Sequence, residues 1–390
     1  MKKNNFISIA FVFIIFFVFI WTIVKQGLIT LHIISFDKTD NWQVVEATGD
    51  KIYDKIKSFE VGIENRVNNY FPNYIGINDL FYTSIMKIDS LYLNDIYLKN
   101  NRDNEKVFFN KTKNFYYIVN NYSEKELDNK MNDQISFFNE LSNKYNNVSF
   151  NIYMPLRYEI NSFVNIKNLN DKYNYFKSKI NKNINIKALE SNNTDEYLNY
   201  FYKTDHHYNS YGAKKAYDDI LDMFNIIDYE NYKHKEVIGK YYGSAAKSLL
   251  VDNIYDNLSA IDVNNLLNVN ISEDRFKPLN VTKKDNKFYD YYVAYYDGQY
   301  DEVIYNNTNN NTDNNLLIIG DSLAWQIDYL LAGHFNNTHV INLRYGKWLK
   351  NNLDLNSYIK DNKITHILFL QEAEEEMFDI YNFNLKERVN

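Results

Sequence analysis

Leu316-Leu317-Ile318-Ile319-Gly320-Asp321-Ser322-Leu323 is the stretch that decides the fold. Four aliphatic residues with no polar break fit a strand covered on both faces, and strands of that kind belong to parallel sheets flanked by helices. Gly320 allows a sharp turn, and Asp321 can cap or fix it. Residues 323–335 are apolar enough for a packed helix. In open α/β sheets, sites form at the carboxyl ends of strands. Ser322 is therefore placed at a strand tip, next to the free N–H groups of a helix start. Taken alone, such a Ser is also an ordinary N-cap.

Working outward, the same alternation recurs. Residues 107–109 and 115–119 read as strands around a Lys-Thr-Lys-Asn turn. Ser123 and Glu126 fit a capping box for a helix over 123–145, with Leu127, Met131, Ile135, Phe138 and Leu141 on one face. Strands are predicted at 148–154, 184–189, 340–343 and 364–370, and helices near 171–182, 210–224 and 352–361. That order predicts an α/β domain with a largely parallel sheet. The region 231–315 reads as insertion-rich, with strands at 288–296 and 299–305 and an Asn/Thr loop at 306–315. The acidic run Glu372 to Glu376 reads as a solvated helix start.

Ser is a weak nucleophile until a base takes its proton. The chain has seven His, and two are adjacent in Lys203-Thr204-Asp205-His206-His207-Tyr208-Asn209-Ser210-Tyr211-Gly212-Ala213. Asp205 and His207, two apart, can share one side of an extended segment, with His206 pointing elsewhere. A carboxylate beside an imidazole fixes its tautomer and stabilises the imidazolium. Two other readings of the stretch stay open: a surface loop with a capping Asp, and a zinc site built on two His and an Asp. Adjacent His rarely converge on one ion, and no His-x-x-x-His repeat is present, so no metal is expected. No cofactor is expected either.

With these residues in view, the chain resembles the DHHW proteins, which are similar to the SGNH-type alginate O-acetyltransferase proteins of bacterial cell envelopes. The resemblance rests on Thr204-Asp205-His206-His207-Tyr208 and the Asn209–Ala213 run after it. It is extended by Phe71-Pro72, by Tyr242-Gly243-Ser244 before Asp252, and by a Glu near 372 after the last strand. It covers roughly residues 55–380. The Asp-x-His pair precedes the Gly-Asp-Ser block, as in that group and in reverse of ordinary SGNH hydrolases. The resemblance therefore implies a circularly permuted SGNH-hydrolase-like, flavodoxin-like fold. It also implies Ser322 as nucleophile, His207 as base and Asp205 as the acid that orients it. Tyr208 stands where the family usually has Trp and is expected to pack or stack against substrate. Arg344 is expected at the carboxyl edge of the sheet, near substrate. The implied activity is extracytoplasmic O-acyl transfer, most simply O-acetyl, to an envelope polysaccharide. A multi-span membrane acyltransferase is the implied acyl donor. The alternatives are an esterase with the same triad and a non-catalytic glycan-binding envelope protein.

Composition and the N-terminus set the location. Net charge is −7 with no basic stripe, so nucleic acid is not an expected partner. Cys is absent, which removes disulfides, thiol nucleophiles and Cys-based metal sites. Lys2 and Lys3 precede an uncharged run from Phe6 to Val24, which as a helix spans about 28 Å, close to a hydrocarbon core. The expected organisation is an uncleaved signal anchor over 1–25, a membrane-proximal helical segment over 26–104 and the catalytic domain over 105–390. The lysines favour a cytoplasmic N-terminus and a cell-membrane protein with its bulk outside.

Overall fold

The computed structural model describes residues 95–99, 106–110, 112–119, 124–156, 169–227, 232–249, 252–262, 269–271, 281, 283–284, 286–296, 300–307, 312–379 and 385–389. The expected anchor, the capping Ser123, Phe71-Pro72 and most of the membrane-proximal segment lie outside them. Among the described residues no helix is long and apolar enough to cross a membrane. The chain divides into two compact units. One comprises residues 1–93, 99–105 and 248–251; the other comprises 94–98, 106–247 and 252–390 and carries nearly all that is described below.

In chain order, β1 (Asp95–Lys99), β2 (Lys106–Asn110) and β3 (Phe115–Val119) form a three-stranded sheet. The β2–β3 hairpin turns where the Lys-Thr-Lys-Asn stretch predicts it, and Asn114 takes the left-handed conformation there. Then come α1 (Glu124–Lys144), β4 (Ser149–Pro155), α2 (Leu169–Lys179), β5 (Ile184–Leu189), α3 (Thr194–Tyr200) and α4 (Ser210–Met223). The insertion-rich region holds β6 (His234–Tyr241), α5 (Ser244–Leu249), β7 (Asp256–Ile261), β8 (Val269–Ile271), α6 (Tyr291–Tyr296) and β9 (Glu302–Asn307). The last part is β10 (Asn315–Gly320), α7 (Asp328–Ala332), β11 (Asn337–Ile341), α8 (Leu355–Asp361), β12 (His366–Leu370), α9 (Ala373–Phe378) and α10 (Leu385–Arg388).

The main sheet has seven strands in the order β5-β4-β12-β10-β11-β9-β8. The first five run parallel, β9 is antiparallel to β11, and β8 is antiparallel to β9. Counted from β10, the five parallel strands follow the flavodoxin-like order 2-1-3-4-5, so the chain runs through a doubly wound sheet from a permuted start, with β10 at the centre of the seven. All six residues of β10 are buried. Leu317 and Ile319 face a core built with α1, α2, α8 and α9, while Leu316 and Ile318 face a second core built with α4 and α7. The period of two along the strand therefore serves both layers. On α1, Leu127, Met131, Phe138 and Leu141 are buried, each contributing about 1.5–3 kcal/mol as an upper bound.

Four elements depart from the sequence pattern. Residues 95–99, expected within the helical segment over 26–104, pair with β2 as a strand. Residues 291–296 are helical, not extended. Asp290 caps them by accepting from the Val293 N–H at 3.1 Å, and that cap with burial of Tyr291, Tyr292 and Tyr296 overrides the β preference of a Tyr/Val run. Residues 323–335 form a 3₁₀ turn (Ala324–Gln326) and the short α7 instead of one helix. The break follows from Asp328, whose buried carboxylate accepts from the Tyr300 and Tyr305 hydroxyls, each at 3.2 Å, and from the Tyr329 N–H at 2.6 Å. The run Glu372 to Glu376 is buried rather than solvated, with Glu375 and Glu376 at 0% exposure.

Candidate active site

The Asp-His-His stretch is held in a tight loop between α3 and α4. Phe201 and Tyr208 form an antiparallel bridge, and the Tyr202 N–H donates to the His207 carbonyl at 3.2 Å. Asn209 caps α4 by accepting from the N–H groups of Tyr211 and Gly212. Asp256 pins the other side. Its carboxylate accepts from the N–H groups of Lys203 and Thr204 at 2.8 and 2.9 Å and from the Thr204 hydroxyl at 2.6 Å. Burial pushes the Asp256 carboxyl up to about 6, against the pull of those bonds.

Ser322 sits two residues past β10. Asp321 fixes that turn, accepting from the Leu323 N–H at 2.7 Å and from the Glu372 N–H at 3.0 Å, so it ties the ends of β10 and β12 together. Gly320 is required for close approach more than for a bend: a Cβ there would lie 2.8 Å from the Cβ of Ala324.

These loops bring Asp205, His207 and Ser322 into one hydrogen-bonded chain. His207 Nε2 is 2.8 Å from Ser322 Oγ, and His207 Nδ1 is 2.7 Å from Asp205 Oδ1. The carboxylate keeps the proton on Nδ1, which leaves Nε2 to accept from the Ser322 hydroxyl. Ser322 retains 8% exposure and His207 7%. Burial lowers the His207 pKa, His206 adds to that, and Asp205 opposes it; the net shift is below the usual 6.5. Burial alone would raise the Asp205 carboxyl. The two imidazoles outweigh it and hold Asp205 well below the ordinary carboxylate range.

Several contacts in this chain were not legible in the sequence. The Tyr241 hydroxyl and the Ser244 N–H donate to Asp205 Oδ2, the latter at 3.0 Å. The Ser244 hydroxyl donates to Oδ1 at 3.2 Å. Tyr292 stacks on His207 with ring centroids 3.8 Å apart. Only Gly243-Ser244 carried a signal, through the Tyr242-Gly243-Ser244 match. Tyr241 and Tyr292 are hidden among 36 Tyr.

Two expectations for the site change. His206 does not point away: its Nδ1 lies 2.8 Å from Ser244 Oγ and 3.1 Å from Asp205 Oδ1, and its ring is tilted against His207 with centroids 4.0 Å apart. Tyr208 is fully buried, so of its two expected roles it takes the packing one and not the stacking one; its hydroxyl donates to the Leu323 carbonyl and so braces the turn that carries Ser322. Arg344 does lie past the carboxyl end of β11, beside β10, but its Nε donates to Asn342 Oδ1 at 3.2 Å and its guanidinium lies over Tyr345. Asp205, His206 and His207 are the group among the described residues whose ligand atoms are close enough to hold a metal ion. An ion there would take His207 Nδ1 and Asp205 Oδ1 from each other.

A largely parallel sheet flanked by helices, with Asp205, His207 and Ser322 hydrogen-bonded at the carboxyl end of β10, makes this a mixed α/β protein. Its overall fold is similar to that of Bacillus cereus PatB1 solved with a sulfonyl adduct, at 21% identity and a TM-score of 0.53, over 70% of this chain and 96% of that one. It is also similar to that of a DHHW family protein from Eubacterium siraeum, at 17% identity and a TM-score of 0.56, over 76% and 98%. The O-acetyltransferase domain of Pseudomonas putida AlgJ matches at 11% identity over 75% and 97%, with a TM-score of 0.39, below the level of a shared fold. No protein-family model and no curated protein matches the chain. The resemblance carried by Thr204–Tyr208 thus meets a likeness of fold to a DHHW family protein.

Proposed function

We propose that the chain is an extracytoplasmic serine O-acyltransferase that moves an acetyl group to a hydroxyl of a cell-envelope polysaccharide. The observation that carries this is the unbroken relay Asp205–His207–Ser322, with 2.7 and 2.8 Å links. His207 Nε2 takes the proton as Ser322 Oγ attacks the acyl carbonyl, and the departing group receives that proton, leaving an acetyl ester on Ser322. A sugar hydroxyl then gives its proton to His207 and attacks the ester, and Ser322 Oγ takes the proton back. The Ser322 N–H has no acceptor among the described residues and is available to the oxyanion of each tetrahedral intermediate. The donor is an acyl ester or thioester presented outside the cytoplasm, in our reading by a multi-span membrane acyltransferase reached through the N-terminal anchor.

The test is incubation with p-nitrophenyl acetate, with and without oligosaccharide, followed by mass spectrometry of protein and sugar. Acetyl on Ser322 and on sugar is expected. Ser322→Ala should lose turnover by roughly a thousandfold or more while keeping its fold. Acetyl on Ser322 released only to water, across a panel of envelope glycans, makes the protein an esterase. A folded protein without acetyl on Ser322 overturns the catalytic reading in favour of glycan binding.

A further inference from the structure

We propose that Tyr292 is a positioning residue of the relay, its ring fixing the base and its hydroxyl fixing the nucleophile. This rests on the reading of His207 and Ser322 given above.

The base is useful only while both ring nitrogens stay aligned, Nδ1 on Asp205 and Nε2 on Ser322. Rotation of the imidazole about its bond to Cβ would break both links at once. Two neighbouring rings hold His207 against that rotation. Tyr292 is stacked on it at 3.8 Å with 20° between the planes, and His206 lies at 4.0 Å with 36°. The Tyr292 ring is itself backed by Tyr296 at 4.9 Å and Trp325 at 5.9 Å. When Ser322 gives up its proton, His207 becomes a cation facing an aromatic ring, an attractive arrangement that exists only in the charged state. A stack of this kind favours the transition state over the resting state.

The hydroxyl acts on the partner atom group. It donates to the Ser322 carbonyl at 2.8 Å and accepts from Gln326 Nε2 at 3.3 Å. The same Gln326 Nε2 donates to the Tyr208 carbonyl at 2.6 Å. One short chain of bonds therefore joins the residue after the base to the nucleophile itself. Sites that hold reacting groups this way avoid the large rate loss that follows a displacement of an ångström. Tyr292 is 1% exposed, so it acts through His207 and Ser322 and not on the substrate.

Ring and hydroxyl can be separated. In the full-length protein, the rate of Ser322 sulfonylation by phenylmethylsulfonyl fluoride reads nucleophile activation, and p-nitrophenyl acetate hydrolysis gives kcat and KM. In the sulfonylation the Ser322 O–S bond forms, the S–F bond breaks, fluoride leaves and the proton passes to His207. Rates are taken per folded molecule. Tyr292→Leu should lower sulfonylation and kcat by about thirtyfold with KM unchanged, whereas Tyr292→Phe, which keeps the stack, should lose about threefold. If Tyr292→Leu melts below assay temperature, Tyr292→Met, which fills the volume without a ring, should show the same loss. Wild-type rates in the ringless variant, a rise in KM with kcat intact, or equal losses for Phe and Leu would overturn the proposal. A wild-type protein labelled away from Ser322 overturns the nucleophile reading instead, and is told apart because Ser322→Ala then labels normally.

Discussion

In the proposed relay His207 acts as a neutral imidazole. Burial and the neighbouring His206 lower its pKa below 6.5, and Asp205 only partly restores it. Protonation removes the acceptor at Nε2, so acylation is lost as pH falls. Because the shift is downward, the rate of Ser322 acylation should fall with pH along a curve whose midpoint lies below 6.5. A pH–rate profile with its midpoint above 6.5 would contradict that. The two imidazoles share one carboxylate but differ in reach: His207 Nε2 meets Ser322 Oγ, whereas His206 Nδ1 meets Ser244 Oγ. His207→Ala should cost on the order of a thousandfold in kcat and His206→Ala about tenfold, measured as initial rates. The opposite ranking would exchange their roles. Treatment with EDTA should leave the rate unchanged, since Asp205 Oδ1 and His207 Nδ1 are engaged with each other; a strong loss would point to an ion on these residues.

Elements decide which of these contacts exist. The loop from β6 to α5 passes so close to Asp205 that a Cβ on Gly243 would lie 2.3 Å from the Asp205 Cβ and 2.6 Å from the Thr204 carbonyl oxygen. Gly243→Ala must push the Asp205 segment away, at a cost of about 1–3 kcal/mol. Activity should fall further than melting temperature explains, because Asp205 also loses the Ser244 N–H. Unchanged kcat would show that the loop yields freely. This scale also shows how far the sequence could be read. β10 and α1 announce themselves, one by an unbroken aliphatic run and the other by apolar steps of three and four. Asp205, His207 and Ser322 stand out because His is scarce and Gly-Asp-Ser follows a strand. Tyr292 does not stand out, because its helix is set by the Asp290 cap and by burial, against the local preference of the run. Ser244 is tied to Asp205 across the fold, a contact that no local pattern records.

At the scale of the whole molecule, the acidic run after β12 illustrates how burial escapes a one-dimensional reading. Glu376 is fully buried, and neither carboxylate oxygen has a hydrogen-bond partner among the described residues. Burial first, then the charges of Glu375 and Asp321, push its pKa well above the usual carboxylate value. Below that usual value both folded and unfolded forms hold the proton, and nothing is lost. Above it the unfolded chain releases the proton and the folded one does not, so stability falls as pH rises toward the folded pKa. Glu376→Gln should therefore raise the melting temperature at neutral pH by about 2–4 °C, with the gap to wild type closing near pH 4. A gap that does not change with pH would mean that the carboxyl is not the source of the effect.

The strand order carries one more consequence. β12 lies between β4 and β10, so it is the only strand that both halves of the main sheet touch. Asp205 and His207 are synthesised with the first half, and Ser322 with the second. Until residues 366–370 have emerged and slotted into the middle, the two halves have no common backbone ladder, and the relay has no frame. A chain emerging from the ribosome or threading through a translocation pore thus carries its reactive groups apart. Ser322 is held against His207 late, when the strand that joins the two halves arrives.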